Sequence, residues 1–417
     1  MTPSTRSKLR MLAVGYFWLV VSLVSGFDLA VHGAEPACDD LENELGEWQG
    51  LRHEEPARLL TFEPVYYGEV FTNARGGKTT KGATRYLGLL DLGIRFDLDE
   101  TRTGIPGHVY FLVENTHGRG LTQDFVGDTQ VISNIDSLGN VTQLGEYWWE
   151  SEWLDNLVTL RLGRQDMNAD FQRIDSAEHF VQSTFGLSPS TAFPTYPDQA
   201  AGAVMLVKLT DDWQWKGGVW NAFVQNRDWG FSDNHSFLAV TELEYRYTSA
   251  DGGLLGAGFL GVGLPGVVSI GALYESEGEL EGELVSPVRE YYVQWEQTLY
   301  RPAFSDHAQD QGLAAFVGYY PRFPGGQPIA QSIGDSAVAG LTYTGLLPGR
   351  EADVIGVGVA WSELFQGGTN RETATELFYR AVWSSRLSFQ PDMQYIASPS
   401  GIYRDALVAG MRMKLSF

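Results

Sequence analysis

Cysteine is almost absent: Cys38 is the only one in 417 residues. No intramolecular disulfide can form, and no metal site can be built on thiolates. Basic residues are also scarce, 29 Lys and Arg against 52 Asp and Glu, for a formal net charge of −23. That sign disfavours nucleic acid as a partner. The seven histidines scatter along the chain, so neither a metal site nor another cofactor is expected. Beyond the first two dozen residues there is no long apolar run, which excludes a membrane-crossing helix in the body of the chain.

The start of the chain reads as an export signal. Arg6, Lys8 and Arg10 precede an apolar run from Met11 to Val24, broken only by Gly15 and Ser22, and the small residues Gly33 and Ala34 follow. This pattern predicts a secretory signal peptide over residues 1–34. An anchoring helix is the alternative, but the run is short against a span of about 20 residues. Cys38 follows Glu35-Pro36-Ala37 rather than a lipoprotein-type Leu-small-small context, which argues against a lipid anchor. Removing residues 1–34 takes away three basic groups and Asp28 and leaves the remainder near −25. Residues 35–58 are acidic, with Leu41, Leu45 and Trp48 at roughly helical spacing. They are expected to form a periplasmic N-terminal segment, as a short helix, a plugging arm or a plain lead-in.

What is abundant points to strands. The chain has 48 glycines and 53 aromatic residues, a composition of turns and sheets that a soluble sandwich would share. The decisive stretch is the last thirteen residues. Leu407, Ala409, Met411, Met413, Leu415 and Phe417 fall on one face; Val408, Gly410, Arg412, Lys414 and Ser416 fall on the other. Strict period-2 alternation means an extended strand. An apolar row running to a terminal aromatic suits a membrane-spanning barrel, where lipid-facing and lumen-facing residues alternate.

The same pattern recurs through the chain. Strands are expected near 59–72, 85–98, 107–115, 141–152, 157–166, 202–210, 214–223, 237–248, 266–275, 289–300, 311–320, 336–344, 353–361, 375–382, 386–396 and 405–417. The predicted fold is therefore all-β: a transmembrane antiparallel β-barrel over residues 59–417, with about sixteen strands. Eighteen follow if 249–265 hides another pair. If the first strand rises from the periplasm, the long connections lie outside, 116–140 and 167–201 among them. The turns 153–156, 211–213 and 383–385 lie inside, which is the asymmetry such barrels show.

Three local signals are discounted. Gly256-Ala257-Gly258-Phe259-Leu260-Gly261 matches a dinucleotide fingerprint, but Pro265 and Gly266 follow where a helix is required. Glu275 to Glu283 holds five glutamates but lacks the Asp/Asn alternation of a calcium loop. His53-Glu54-Glu55 lacks the second histidine of a zinc-protease helix.

Several segments carry a resemblance. They are Tyr66-Tyr67-Gly68-Glu69-Val70-Phe71-Thr72-Asn73; Leu162-Gly163-Arg164-Gln165-Asp166-Met167-Asn168; Glu376-Leu377-Phe378-Tyr379-Arg380; and Gln390-Pro391-Asp392-Met393-Gln394-Tyr395, in order with the terminal strand. Over residues 50 to 417 the chain resembles the carbohydrate-selective porins of the OprB type. The resemblance implies an outer-membrane diffusion channel that favours sugars. The segment Trp215 to Ala222 matches only in outline, and the loop after it, Asn226 to Gly230, departs from the family. A general, mildly cation-preferring porin and a plugged structural or adhesive barrel are the alternatives. A barrel enzyme would need a Ser/His/Asp set at one rim, and none is evident.

A passive pore needs a narrow, polar, water-filled passage rather than a catalytic group. The inner faces offer Asp91, Arg95, Glu146, Glu150, Arg161, Glu242, Glu244, Arg246, Glu296, Arg386, Arg412 and Lys414 as pore-lining candidates. The longest outer connection, 167–201, adds Asp170, Arg173, Asp175 and Glu178 beside His179, Phe171, Phe180 and Phe185. Connections longer than about 15 residues are usually functional. This one is expected to fold into the lumen and form the constriction with Arg161 and Glu146. The partners expected are outer-membrane lipids, small sugars as permeating solutes, and the barrel-assembly machinery through Phe417; a homo-oligomer is allowed.

Overall fold

A computed structural model describes residues 60–98, 104–189, 194–222, 229–231, 236–248, 263–280, 283–285, 287–302, 311–324, 333–365 and 368–417. The expected signal peptide, the segment 35–58 and most of 249–265 lie outside the described residues. No described helix is long and apolar enough to cross a membrane.

The strands in chain order are β1 (Leu60–Gly77), β2 (Thr84–Asp97), β3 (His108–Gly118), β4 (Val141–Trp153), β5 (Val158–Gln165), β6 (Ala200–Lys208), β7 (Trp213–Asn221), β8 (Phe237–Thr248) and β9 (Pro265–Glu275). Then come β10 (Gly278–Leu280), β11 (Glu283–Val285), β12 (Val288–Tyr300), β13 (Gly312–Tyr320), β14 (Arg322–Pro324), β15 (Ile333–Thr344), β16 (Val354–Leu364), β17 (Arg371–Val382), β18 (Leu387–Ala397) and β19 (Arg404–Ser416). The pair β10 and β11 is a small hairpin of its own, and β14 continues β13 along the edge of β12. The remaining sixteen pair antiparallel in sequence order, and β19 pairs with β1 to close the ring. Sixteen, not eighteen, is therefore the barrel count among the described residues.

Closure follows from the solvent. In hydrocarbon no water satisfies an unpaired strand edge, so a spanning sheet must leave none. The terminal strand does this: Val65 lies opposite Ser416, Gly68 opposite Met413 and Thr72 opposite Ala409. Phe417 stands just beyond, its amide donating to the Pro64 carbonyl at 3.1 Å with its ring half-exposed. The outward residues of the expected apolar rows stay exposed, among them Leu90, Leu162, Val357, Val359, Met393 and Met411. The two sets of connections differ in length as expected. The turns 154–157, 209–212 and 383–386 are short, whereas 119–140 and 166–199 are long.

Both long connections fold inward. Only 167–201 was expected to do so. In 119–140 a turn of π-helix (Thr122–Val126) and the residues after it bury Phe125, Val126, Ile132 and Ile135. In 166–199 three short 3-10 turns carry Met167, Phe171, Ile174, Phe180, Val181 and Phe185 into the interior. The inner wall is consequently not polar throughout. Across β13 to β17 it presents Phe316, Val338, Ala360 and Phe378, which join the loop residues in one buried cluster. Phe180 stacks on Phe185 at 4.2 Å between centroids and meets Phe378 edge-on at 4.9 Å. The inward glycines of β16 make room for these rings. A Cβ on Gly358 would lie 2.6 Å from Phe185 Cε1 and 2.8 Å from Phe180 Cε1. Fully burying each phenylalanine contributes about 1.5–3 kcal/mol to holding the loop inside.

Candidate functional site

With that side of the lumen filled, space remains beside β1 to β4 and β17 to β19. A cavity of about 510 Å³ lies there. One wall carries Asp91, Glu114 and Glu146 from the strands and Asp166 from the loop; the other carries Arg380, Arg412 and Lys414. Acids and bases thus share one lining.

Each wall is built by alternation along its strands. On the acidic side Glu146 accepts from Trp148 Nε1 at 2.8 Å. Trp148 stacks on Tyr110 at 4.9 Å, and the Arg161 guanidinium lies over its ring at 4.7 Å. On the basic side Arg412 is clamped by Glu69, and its Nη2 donates to Asn134 Oδ1 at 2.6 Å. The Lys414 ammonium lies 5.5 Å from the centre of the Tyr67 ring. Among the described residues no carboxylate comes within 4.0 Å of Arg380 or Lys414. Both line the cavity without a direct ion pair.

Strand charges hold the 166–199 loop. Arg161 bridges Glu150 and Asp170, at 2.6 Å to each. Lys216 donates to Glu242 at 2.8 Å, to Glu244 at 2.7 Å and to the Asp170 carbonyl at 3.1 Å. Arg246 extends the chain to Glu244 at 2.5 Å. Elsewhere strand glutamates accept backbone amides of the inward loops. Glu242 takes the amide of Gln172, Glu296 that of Ser176, and Glu376 those of Val181 and Gln182. Glu372 receives Thr129 and Gln130 from the other loop. Carboxylate acceptors make stronger bonds than neutral ones, and each removes a loop donor that would otherwise be buried unpaired.

The expected residues therefore divide. Asp91, Glu146, Glu178, Arg412 and Lys414 line the cavity. Glu150, Arg161, Asp170, Glu242, Glu244, Arg246 and Glu296 belong to the network that anchors the loop. Arg173 pairs with Asp175 at 2.7 Å as an exposed couple on that loop. Arg95 pairs with Asp97 at the end of β2, away from the cavity. Arg386 does not face the lumen from a strand, because β18 begins one residue later. It sits in the turn 383–386, where its carbonyl receives the Ser416 amide. Lys216, Glu69, Glu114, Arg380, Glu372 and Glu376 were not singled out as candidates. Lys216 and Arg380 were readable: each shares its strand's inward parity, Lys216 with Trp220 and Arg380 with Glu376 and Phe378.

Burial shifts the loop groups that titrate. The Asp166 carboxyl is pushed above its usual range by burial, although it accepts from Asn168, Thr195 and Tyr196. Asp128 is likewise pushed up, by burial first and then by the neighbouring Glu372. The His179 imidazole is held down to about 4 by burial, then by Arg380 and Lys414. Its neighbour Glu178, with Oε1 at 3.3 Å, is 54% exposed. Water screens that carboxylate, so it does not offset the cost of burying a charged ring.

Comparison with known proteins places the arrangement. Residues 81–417 match the family described as "Carbohydrate-selective porin, OprB family". The chain is 23% identical over 425 residues to "Putative porin QuiX" of Acinetobacter baylyi, covering 89% of this chain and 92% of that protein. It is 22% identical over 447 residues to "Porin B" of Pseudomonas aeruginosa, covering 94% and 95% respectively. The fold resembles the solved "High pH structure of Pseudomonas putida OprB" with a TM-score of 0.70 at 20% identity, over 86% of this chain and 94% of that one.

Proposed function

The chain belongs to the OprB family of carbohydrate-selective porins and forms an outer-membrane channel, and on that premise we propose how it admits its solutes. Small sugars pass through the cavity lined by acids of β2 to β4 and the 166–199 loop and by bases of β17 and β19. The observation that carries this reading is the cavity lining, where the rings of Tyr67 and Tyr196 stand among Asp91, Glu114, Glu146, Arg412 and Lys414. A pyranose has an apolar face and a rim of hydroxyls. Aromatic rings take the face, and the carboxylates and cations around them take the rim. The cavity of about 510 Å³ falls within the roughly 300–1,000 Å³ of small-molecule sites. Glu146, Asp91, Arg412 and Lys414 are the groups assigned to contact solute, while Arg161 and Asp170 set the width. Nothing in this passage calls for a nucleophile or a general base, and transport is passive.

Liposome swelling tests the reading. Protein-containing liposomes should swell faster in glucose than in an uncharged solute of similar size that is not a sugar. Equal rates, together with a cation-directed reversal potential in a salt gradient, would mark a general cation-preferring pore. No swelling with any small solute would mark a plugged barrel.

A further inference from the structure

Most of the barrel exterior is apolar, as Leu162, Met205, Val219, Ile270, Val317 and Met411 show. The outer part of β1 to β4 departs from this. Thr72 and Thr84 share a hydrogen bond at 2.9 Å. Asn115 donates to Thr142 at 2.6 Å and lies 3.0 Å from His117 Nδ1. His117 Nε2 lies 3.1 Å from the Tyr66 hydroxyl, which also meets the Tyr86 hydroxyl. Asn115 and His117 share the parity of exposed Val113, and Thr72 that of exposed Val70, so this row points away from the lumen. Amide and imidazole groups on a lipid-facing surface are expensive even when paired with one another, so the face suits a polar occupant.

Cations stand directly above it. Arg75 and Arg404 are at the outer ends of β1 and β19, Lys81 in the β1–β2 hairpin, and Arg119 just past β3; all four are exposed. The Arg119 side chain is 77% exposed, with its nearest carboxylate, Asp124, at 4.0 Å. Among the described residues no carboxylate lies within 4.0 Å of Arg75, Lys81 or Arg404, and the exposed Asp405 beside Arg404 interacts with Arg75 only at longer range. In a chain of net charge −23, this clustering at four neighbouring strand ends runs against the overall sign.

We propose that this face binds the phosphorylated headgroup of an outer-leaflet glycolipid. The rim cations take the phosphates, which guanidinium groups match in charge and geometry. The row of hydroxyl, amide and imidazole groups below takes the sugar hydroxyls and amides where headgroup gives way to acyl chain. Charge complementarity selects this occupant over a second copy of the chain, which would bring the same cations to the contact.

The test uses the full-length protein in detergent and three probes: bisphosphorylated lipid A, its dephosphorylated form, and phosphatidylglycerol micelles. The native protein should bind the bisphosphorylated form at least tenfold tighter than either other probe. A combined Arg75→Ala, Lys81→Ala, Arg119→Ala variant should lose at least tenfold of that binding while keeping the same single-channel conductance, since none of the three lines the pore. An Asn115→Leu, His117→Leu variant should narrow the preference for lipid A over phosphatidylglycerol. Equal binding by native and triple-substituted protein overturns the proposal. So does equal binding of the phosphorylated and dephosphorylated forms, or a lipid-free oligomer that the Asn115 and His117 substitutions dissociate.

Discussion

Arg161 Nη1 and Asp170 Oδ2 lie 2.6 Å apart, a strand cation holding the anion of the loop it leads into. Arg161 also holds Glu150, and all three side chains are no more than 15% exposed. An Arg161→Ala substitution strands two buried carboxylates, and removing one partner of a buried pair costs on the order of 3–5 kcal/mol. The loop should lift and the passage widen. Planar-bilayer recordings should show higher conductance and weaker block by sugar, with partial recovery in Arg161→Lys. Unchanged conductance and unchanged block would remove Arg161 from the role given to it.

Gly358 tests the apolar half of the same attachment. The space a side chain would need at this position is filled by Phe180 and Phe185. Gly358→Leu should displace both rings, at a cost of about 1–3 kcal/mol or more for overpacking. The barrel should still assemble, because the strand ladder is untouched. Conductance should rise and become noisier; a variant with native conductance would mean that the rings do not fix the loop.

Glu376 tests the polar half. Its two oxygens accept the amides of Val181 at 2.7 Å and Gln182 at 2.8 Å. Bonds to charged groups contribute about 1.5–3 kcal/mol each. In Glu376→Ala the amides of Val181 and Gln182 should exchange with deuterium at least tenfold faster, whereas ladder amides in β1 and β19 should not change. Equal acceleration in both regions would point to general loosening rather than to a lost tether.

His179 makes the loop sensitive to acid. Its folded value, about 4, lies below its ordinary value of 6.5. A depressed folded value means that the docked loop prefers the neutral ring. Docking is then fully supported above pH 6.5 and weakens as pH falls through about 4. The groups facing it are Arg380 on β17, Lys414 on β19 and the solvated Glu178 on its own loop, while Gln390 on β18 donates to its backbone carbonyl. Conductance should therefore change between pH 6.5 and 4, and His179→Gln should flatten that change. An identical profile in the variant would assign the acid response to other groups.

Much of the barrel was legible because its strands obey a local rule. Each residue of β19 faces lipid or lumen by parity alone, so Met411 and Arg412 could be assigned without knowing any partner. The boundaries of β8, expected at 237–248, coincide with those observed. Parity also marks Lys216 and Arg380 as lumen residues. It could not say what a lumen residue touches. Glu296 and Glu146 read alike in sequence, yet one receives a loop amide and the other faces the cavity.

The chain by itself determined an antiparallel barrel with an apolar exterior, because period-2 alternation and turn spacing act within a few residues of each other; the pairing settled sixteen strands over eighteen among the described residues. Only the tertiary structure decided where the water runs. That depended on Phe180 reaching Phe378 and on Thr129 reaching Glu372, contacts about two hundred residues or more apart in sequence. No local pattern encodes such contacts. They arise when the closed ring brings β16 and β17 opposite loops that leave β3 and β5, and burial of those loops on one side leaves the passage on the other.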